Sequence, residues 1–395
     1  MTDGNTPVRR AGRAWLIGGV LLVAVAATFA NAIDNGFVYD DQLVIVDDPG
    51  VRLPLSAGFQ GLHYRPLRTL SYRLDYALGG MSPRVFHVSN LLYHGAAVLT
   101  VATLLGAIGA SPSGVLAGAL VFAVHPVQAD AVSYAAGRRD VLCGLFYALG
   151  VVAFLRYRRD GRLVDVGLAA AAYVLAILAK EMAITLPVVC LVLDRWLGRA
   201  TPFEPGEGRR HVVTGRSLGY LTGLAGLGVV ALAATYGRHV VRIATSRPWH
   251  GDGIGANFAT VARVWLKYLQ LILWPATLSV DYSYDAFPVS TSVLDPRALG
   301  SVVVLVGLAA VAWTSWRRGG RFGLGLAWIA ITLLPVSHII PFRELLAEHY
   351  LYLPLVGVAV IVSGVVDGAL ARWPTRQLCS LDVDALAAEC ERLRA

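Results

Sequence analysis

A chain of 395 residues that is 56% hydrophobic and only 15% charged, with a mean hydropathy of +0.59, lies outside the range of soluble proteins and reads as a polytopic membrane protein. Its formal charge of +8 comes from basic residues placed between apolar runs, which assigns them to membrane topology and leaves no case for nucleic acid. Lysine occurs only at Lys180 and Lys267, so arginine supplies 32 of the 34 bases, a bias that with abundant Ala and Gly resembles proteins of high-GC bacteria.

The first apolar run, from Trp15 to about Ile33, follows Arg9, Arg10 and Arg13 and at roughly 19 residues is long enough to cross a hydrocarbon core. It is longer than a signal-peptide core and no small-x-small site follows, so an uncleaved helix with a cytoplasmic N-terminus is expected. Further spans are expected at 85–108, 114–133, 141–157, 163–179, 183–197, 218–236, 298–316, 322–340 and 350–370, which makes ten crossings. Alternation then puts the basic connectors 156–162, 195–216, 317–321 and 372–376 in the cytoplasm, as the positive-inside rule requires. This holds only if 258–275 does not cross. There Arg263, Lys267 and Gln270 oppose Val261, Trp265, Leu269 and Ile272 at helical spacing, the pattern of an interfacial or re-entrant helix.

Two long external segments remain, 34–84 and 237–297, and stretches of that length imply a structured cap. The expected architecture is an all-α integral membrane domain over 1–372, with about ten helices and a periplasmic cap of amphipathic helices, followed by a short cytoplasmic tail, 373–395. Cys143, Cys190, Cys379 and Cys390 are scattered and form neither a disulfide framework nor a metal-ligand pattern.

The first external segment opens with adjacent carboxylates, Asp40 and Asp41, at the membrane surface. Neighbouring acids in a half-desolvated place raise at least one pKa, which suits a general base or a cation ligand, while a solvated turn is the plain alternative. From Tyr64-Arg65-Pro66-Leu67 onward, Leu67, Leu70, Leu74 and Leu78 oppose Arg68 and Arg73, as in a helix lying flat on a membrane. His87, Asn90 and His94 share one face of the second span, where they serve a cavity or hydrogen bonds between helices.

Spans three and four are expected to meet outside through His125, Gln128 and Asp130, then Gly137-Arg138-Arg139-Asp140. Paired arginines at a membrane face suit a phosphate, and an ion-paired hairpin is the alternative. Lys180-Glu181 and the group Arg343, Glu344, Glu348 and His349 add charge on the same side. The four histidines His87, His94, His125 and His349 are too far apart for a compact zinc motif, and no Walker or dinucleotide fingerprint is present. A transporter would place its ionisable groups along mid-membrane helices and show internal repeats.

In this order, the strings Phe37 to Asp41 (FVYDD), Tyr64 to Tyr76 (YRPLRTLSYRLDY), His87 to His94 (HVSNLLYH), His125 to Asp140 (HPVQADAVSYAAGRRD), Lys180 to Asp194, Trp274 to Asp285 and Ala347 to Pro354 resemble the transmembrane and tetratricopeptide-repeat O-mannosyltransferase-like family of the GT-C class. The resemblance covers about residues 15 to 365. It implies a GT-C-like bundle that moves a sugar, mannose or another hexose, from a polyprenyl-phosphate donor to a hydroxyl, the Ser or Thr of an exported protein or a glycan, with inversion. The composition and the basic connectors, for their part, give the expected setting as a bacterial inner membrane with the site on the periplasmic face.

Carried over, Asp40 or Asp41 is the base, and Arg138, Arg139, Lys180 and Arg65 supply the donor-phosphate cations; His87, His94, His125, Asp130, Glu348 and His349 are further site candidates. No fixed cofactor is implied, and a divalent Mg²⁺ or Mn²⁺ is the one auxiliary the acidic pair would take. Where relatives read HPVHVEAV this chain has Asp130 for Glu, and where they read ERYLYLP it has His349 for Arg. The chain ends before the extra span and repeats common in the family. The alternative from another class is a polytopic transporter or lipid flippase.

Overall fold

The computed structural model describes residues 7–57, 65–200, 219–234, 249–251, 253–282, 286–339 and 344–372. These form helices and turns without a strand. In chain order the helices are α1 (Pro7–Phe29), α2 (Pro66–Gly79), α3 (Pro83–Ala107), α4 (Pro112–Val124), α5 (Ala129–Val132), α6 (Arg138–Asp160), α7 (Leu163–Ala179), α8 (Leu186–Ala200), α9 (Gly219–Ala234), α10 (Ile254–Leu273), α11 (Pro296–Arg317), α12 (Arg321–Leu333) and α13 (Pro354–Arg372). Proline opens α2, α3, α4 and α11, where its missing N–H removes a donor that would have no helical partner. Asp295 adds a side-chain cap to α11 by accepting from Arg297 N at 2.9 Å.

Five of these elements are long and apolar enough to cross a membrane: Ala11–Asp34, Pro83–Ala107, Ala135–Asp160, Pro296–Arg317 and Pro354–Arg372. A sixth arises if the broken pair of α4 with Pro126–Val132 counts as one span, while Leu163–Ala179, Gly219–Ala234 and Arg321–Val336 are shorter. Of the ten full crossings expected from hydropathy, five or six thus have a helix of that length and apolarity among the described residues. The break has a local cause. Pro126 cannot donate to the preceding turn and pushes His125 to an extended backbone (φ −61°, ψ 130°), so the chain bends by 48°. The helix expected over 322–340 ends as an α-helix at Leu333 and passes into a 3-10 turn, Leu334–Val336, and position 340 and the tail 373–395 lie outside the described residues.

The core is built on α3, α4, α6 and α13, with α7 against α6 and α12 against α13. Small residues bring backbones together: a Cβ on Gly325 would meet the Gly357 carbonyl, one on Gly357 would lie 2.5 Å from the Gly325 carbonyl, and one on Gly118 would strike the Ala359 carbonyl. His94 ties α3 to α4 and to the turn that leads into α13. Its Nε2 donates to the Ala123 carbonyl (3.0 Å), which leaves Nδ1 to accept from the Tyr352 hydroxyl at 2.8 Å.

The structure shows what the faces of the two amphipathic helices meet. Helix α2 buries its polar face, Arg68, Thr69, Ser71, Tyr72, Arg73 and Asp75, and exposes Leu74 and Leu78, because the bundle end it covers is itself polar. Helix α10 buries Val261, Val264, Tyr268, Leu271 and Ile272, while Trp265 and Leu269 turn toward an apolar trough along α11 and α12.

Candidate active site

The turn after α1 separates the adjacent acids. Tyr39 carries a positive φ of 46°, a strained value for a bulky residue, and the reversal sends the two carboxylates in different directions. Asp41 is fully buried and accepts from Ala136 N at 2.6 Å through Oδ1 and from Val38 N at 3.1 Å through Oδ2. Burial pushes its carboxyl up to about 6, against the pull of those two N–H groups. Asp40 stays 54% exposed, its own N–H donating to the Tyr134 hydroxyl at 2.6 Å, and its carboxylate stands 3.7 Å from Arg139 Nη1.

Arg139 belongs to the first turn of α6, so the residues read as a connecting turn begin the helix itself. Its Nε lies 3.5 Å from Asp140, and Asp140 also accepts from Lys180 Nζ at 2.6 Å. The Lys180 ammonium sits 4.7 Å over the Tyr350 ring, and Arg65 pairs with Glu181 at 3.2 Å next to it. Asp40, Arg139, Asp140, Lys180, Tyr350, Arg65 and Glu181 thus form one charged patch at a single end of the bundle.

Arg138 is elsewhere. Its guanidinium is fully buried, paired with Asp75, bonded to Asn90 Oδ1 (2.7 Å) and the Phe86 carbonyl (2.6 Å), and enclosed by the rings of Tyr72, Phe86 and Tyr93. These contacts commit it to holding α2, α3 and α6 together, so it is removed from the phosphate-binding set.

The histidines divide as well. His87 and His94 are buried in the bundle, and His125 braces the kink, donating from Nε2 to the Ile272 carbonyl (2.9 Å) and accepting from Val127 N at 3.3 Å. His349 lies beside the charged patch: its Nδ1 is 2.9 Å from Asp130 Oδ2, its Nε2 is 3.9 Å from Glu344, and its ring centre is 4.6 Å from that of Tyr350. Glu348 faces the other way, accepting from Ser279 N (2.6 Å) and the Tyr282 hydroxyl (2.7 Å), and burial raises its carboxyl.

Sequence reasoning passed over Tyr134, Asp75 and Tyr350. Each is an ordinary residue in an apolar or loop context, and only the folded chain brings it to a charged partner. Arg343 and Asp285 lie outside the described residues. Among the described residues no group of three or more His, Cys, Asp or Glu is arranged to hold a metal ion, and both Asp41 oxygens already accept backbone N–H groups. Asp41 is thus committed to the loop, and Asp40 is the carboxylate of the pair left facing outward.

Residues 253–309 match the family model described as Protein O-mannosyl-transferase TMTC, DUF1736. The chain is 25% identical to the human Protein O-mannosyl-transferase TMTC3 over 87% of this chain and 42% of the relative. It is 29% identical to human TMTC4 over 88% of this chain and 54% of the relative, and 30% identical to Tmtc2 of Drosophila melanogaster over 73% and 33%. The chain thus spans about half or less of these relatives' length. Over most of its own length it is similar to the TMTC group of proteins named protein O-mannosyl-transferases, which bears out the resemblance carried by its motifs.

Proposed function

We propose that this protein is a glycosyltransferase that moves a hexose, mannose by analogy with its relatives' names, from a polyprenyl-phosphate donor to a hydroxyl acceptor, the Ser or Thr of an exported protein. The observation that carries the reading is the half-exposed Asp40 carboxylate 3.7 Å from Arg139, which continues through Asp140 to Lys180. A base for the acceptor and cations for the departing phosphate thus occur in one patch, and direct displacement with inversion has the sugar between them, its acceptor face toward Asp40 and its phosphate on the opposite face toward the cations. Asp40 takes the proton of the attacking hydroxyl, and Asp41, bonded to Ala136 N, fixes the loop that presents Asp40. Arg139, Lys180 and Arg65 receive the phosphate.

An apolar cavity of about 510 Å³ between α8, α10, α11 and α12, lined by residues that include Trp265, Leu269, Trp313, Leu326 and Leu333, supports a lipid-borne donor by offering an isoprenoid chain a path along the bundle. Leu333 closes α12 where the turn Leu334–Val336 meets Glu181–Thr185, so the trough leads toward Lys180. The setting proposed is a bacterial inner membrane with this face periplasmic.

The test is turnover of polyprenyl-phosphate mannose with a Ser/Thr peptide by purified wild type and Asp40→Asn. Transfer by the wild type that is lost in the variant supports the reading. Transfer equal in both overturns it, and lipid-linked sugar crossing liposomes with Asp40 neutralised identifies a flippase instead.

A further inference from the structure

The charges of the patch nearly cancel. Arg139 faces Asp40 and Asp140, Lys180 faces Asp140, and Arg65 faces Glu181, so three cations meet three carboxylates before any substrate arrives. Arg138 cannot redress this, being paired with Asp75. A phosphodiester carries one negative charge, and the phosphate monoester left after sugar transfer carries up to two. The leaving group therefore needs a positive charge or a proton that the three paired cations do not supply.

His349 is placed to supply it. Its backbone N–H and its Nδ1 both engage Asp130 Oδ2, at 3.0 Å and 2.9 Å, which fixes the ring. Its Nε2 makes no hydrogen bond among the described residues and faces the half-exposed Glu344 carboxylate at 3.9 Å. The Tyr350 ring touches both partners of the site, with the His349 ring 4.6 Å and the Lys180 ammonium 4.7 Å from its centre, while its hydroxyl donates to Glu344 at 2.6 Å. An imidazole held by a carboxylate on one nitrogen and open on the other is the arrangement used to pass protons. The groups facing it are Asp130 from α5, Asp140 from α6, and Glu344 and Tyr350 from its own segment.

We infer that His349, oriented by Asp130, is the proton donor to the leaving phosphate; this rests on the transferase reading. As the acceptor oxygen bonds to the anomeric carbon, the bond from that carbon to the phosphate oxygen breaks and leaves its electron pair on that oxygen. The acceptor proton goes to Asp40, and the Nε2 proton of the His349 imidazolium goes to the phosphate. Water then returns a proton to His349 and takes one from Asp40.

The experiment compares pH–rate profiles of wild type, His349→Gln, His349→Arg, Asp130→Asn and Asp40→Asn, with melting temperatures alongside. His349→Gln should lower turnover about a hundredfold and remove the alkaline limb of the profile. His349→Arg should keep part of the turnover with no alkaline limb, since a guanidinium does not titrate there, and Asp130→Asn should displace that limb. Binding of farnesyl phosphate gives a readout independent of transfer. Beyond the pH dependence due to the phosphate's own ionisation, wild type should bind more tightly as pH falls and His349→Gln should not.

Equal pH dependence of binding in both proteins, or a His349→Gln loss of the same factor at every pH, overturns the assignment. If Asp40→Asn abolishes transfer while the His349 variants keep the wild-type alkaline limb, this inference fails and the transferase reading stands. Undiminished transfer by Asp40→Asn brings down the reading itself.

Discussion

Arg138 and Asp75 form an ion pair with neither side chain more than 1% exposed, at the meeting of α2, α3 and α6. Removing one partner leaves an uncompensated charge, so Arg138→Gln or Asp75→Asn should cost about 3–5 kcal/mol, read as a lowered melting temperature in detergent. Joint replacement by apolar residues of similar volume should recover part of that loss. Unchanged melting in the single variants would contradict the pair's structural role.

The two adjacent acids should separate by phenotype. Asp40→Asn leaves packing untouched and should lower turnover roughly a hundredfold to ten-thousandfold at normal stability and donor affinity. Asp41→Asn sets an amide NH₂ against Val38 N or Ala136 N, and should lose about 1–3 kcal/mol of stability as well as turnover. Identical behaviour of both variants would mean that the carboxylates are interchangeable.

The pH dependence of stability carries the same signature. A carboxyl raised to about 6 in the fold holds its proton there and loses it at lower pH when unfolded. Between about 4 and 6 the folded state therefore binds more protons, and the Asp41 contribution falls as pH rises through that window. The melting temperature of wild type relative to Asp41→Asn should increase as pH is lowered from 7 to 4.5. A difference constant over that range would show that Asp41 does not titrate in it.

Much of this was legible in the sequence, and the limits have physical causes. Hydropathy found helices such as α1, α3, α11 and α13, because apolar length is a property of the chain itself. Where it expected crossings at Leu163–Ala179 and Arg321–Val336 the structure has apolar helices of shorter length. Periodicity located α2 and its two faces but not that the polar one packs into the bundle, since residue spacing shows that two faces differ and not what each one meets. The cluster around Asp40 and Arg139 was anticipated from charges lying at one end of successive helices. That Arg138 and Arg139 would part company was not, because their separation depends on a 100° step around α6.

Helix α13 tests the packing argument. Gly325→Leu or Gly357→Leu drives a side chain into a facing backbone carbonyl and should separate α12 from α13, costing several kcal/mol or preventing extraction of folded protein. Gly300→Leu, which meets open space, should behave like wild type in size-exclusion and melting measurements. Equal tolerance at all three positions would argue against the close crossing.

The bond from Ala136 N to Asp41 joins the loop after α1 to the chain three residues ahead of Arg139. The carboxylate proposed for the acceptor and the guanidinium proposed for the donor thus hang from one short lever, braced a second time where Asp40 N–H meets the Tyr134 hydroxyl. A substitution that breaks the Ala136–Asp41 bond should therefore disturb the acceptor side and the donor side of the proposed site together.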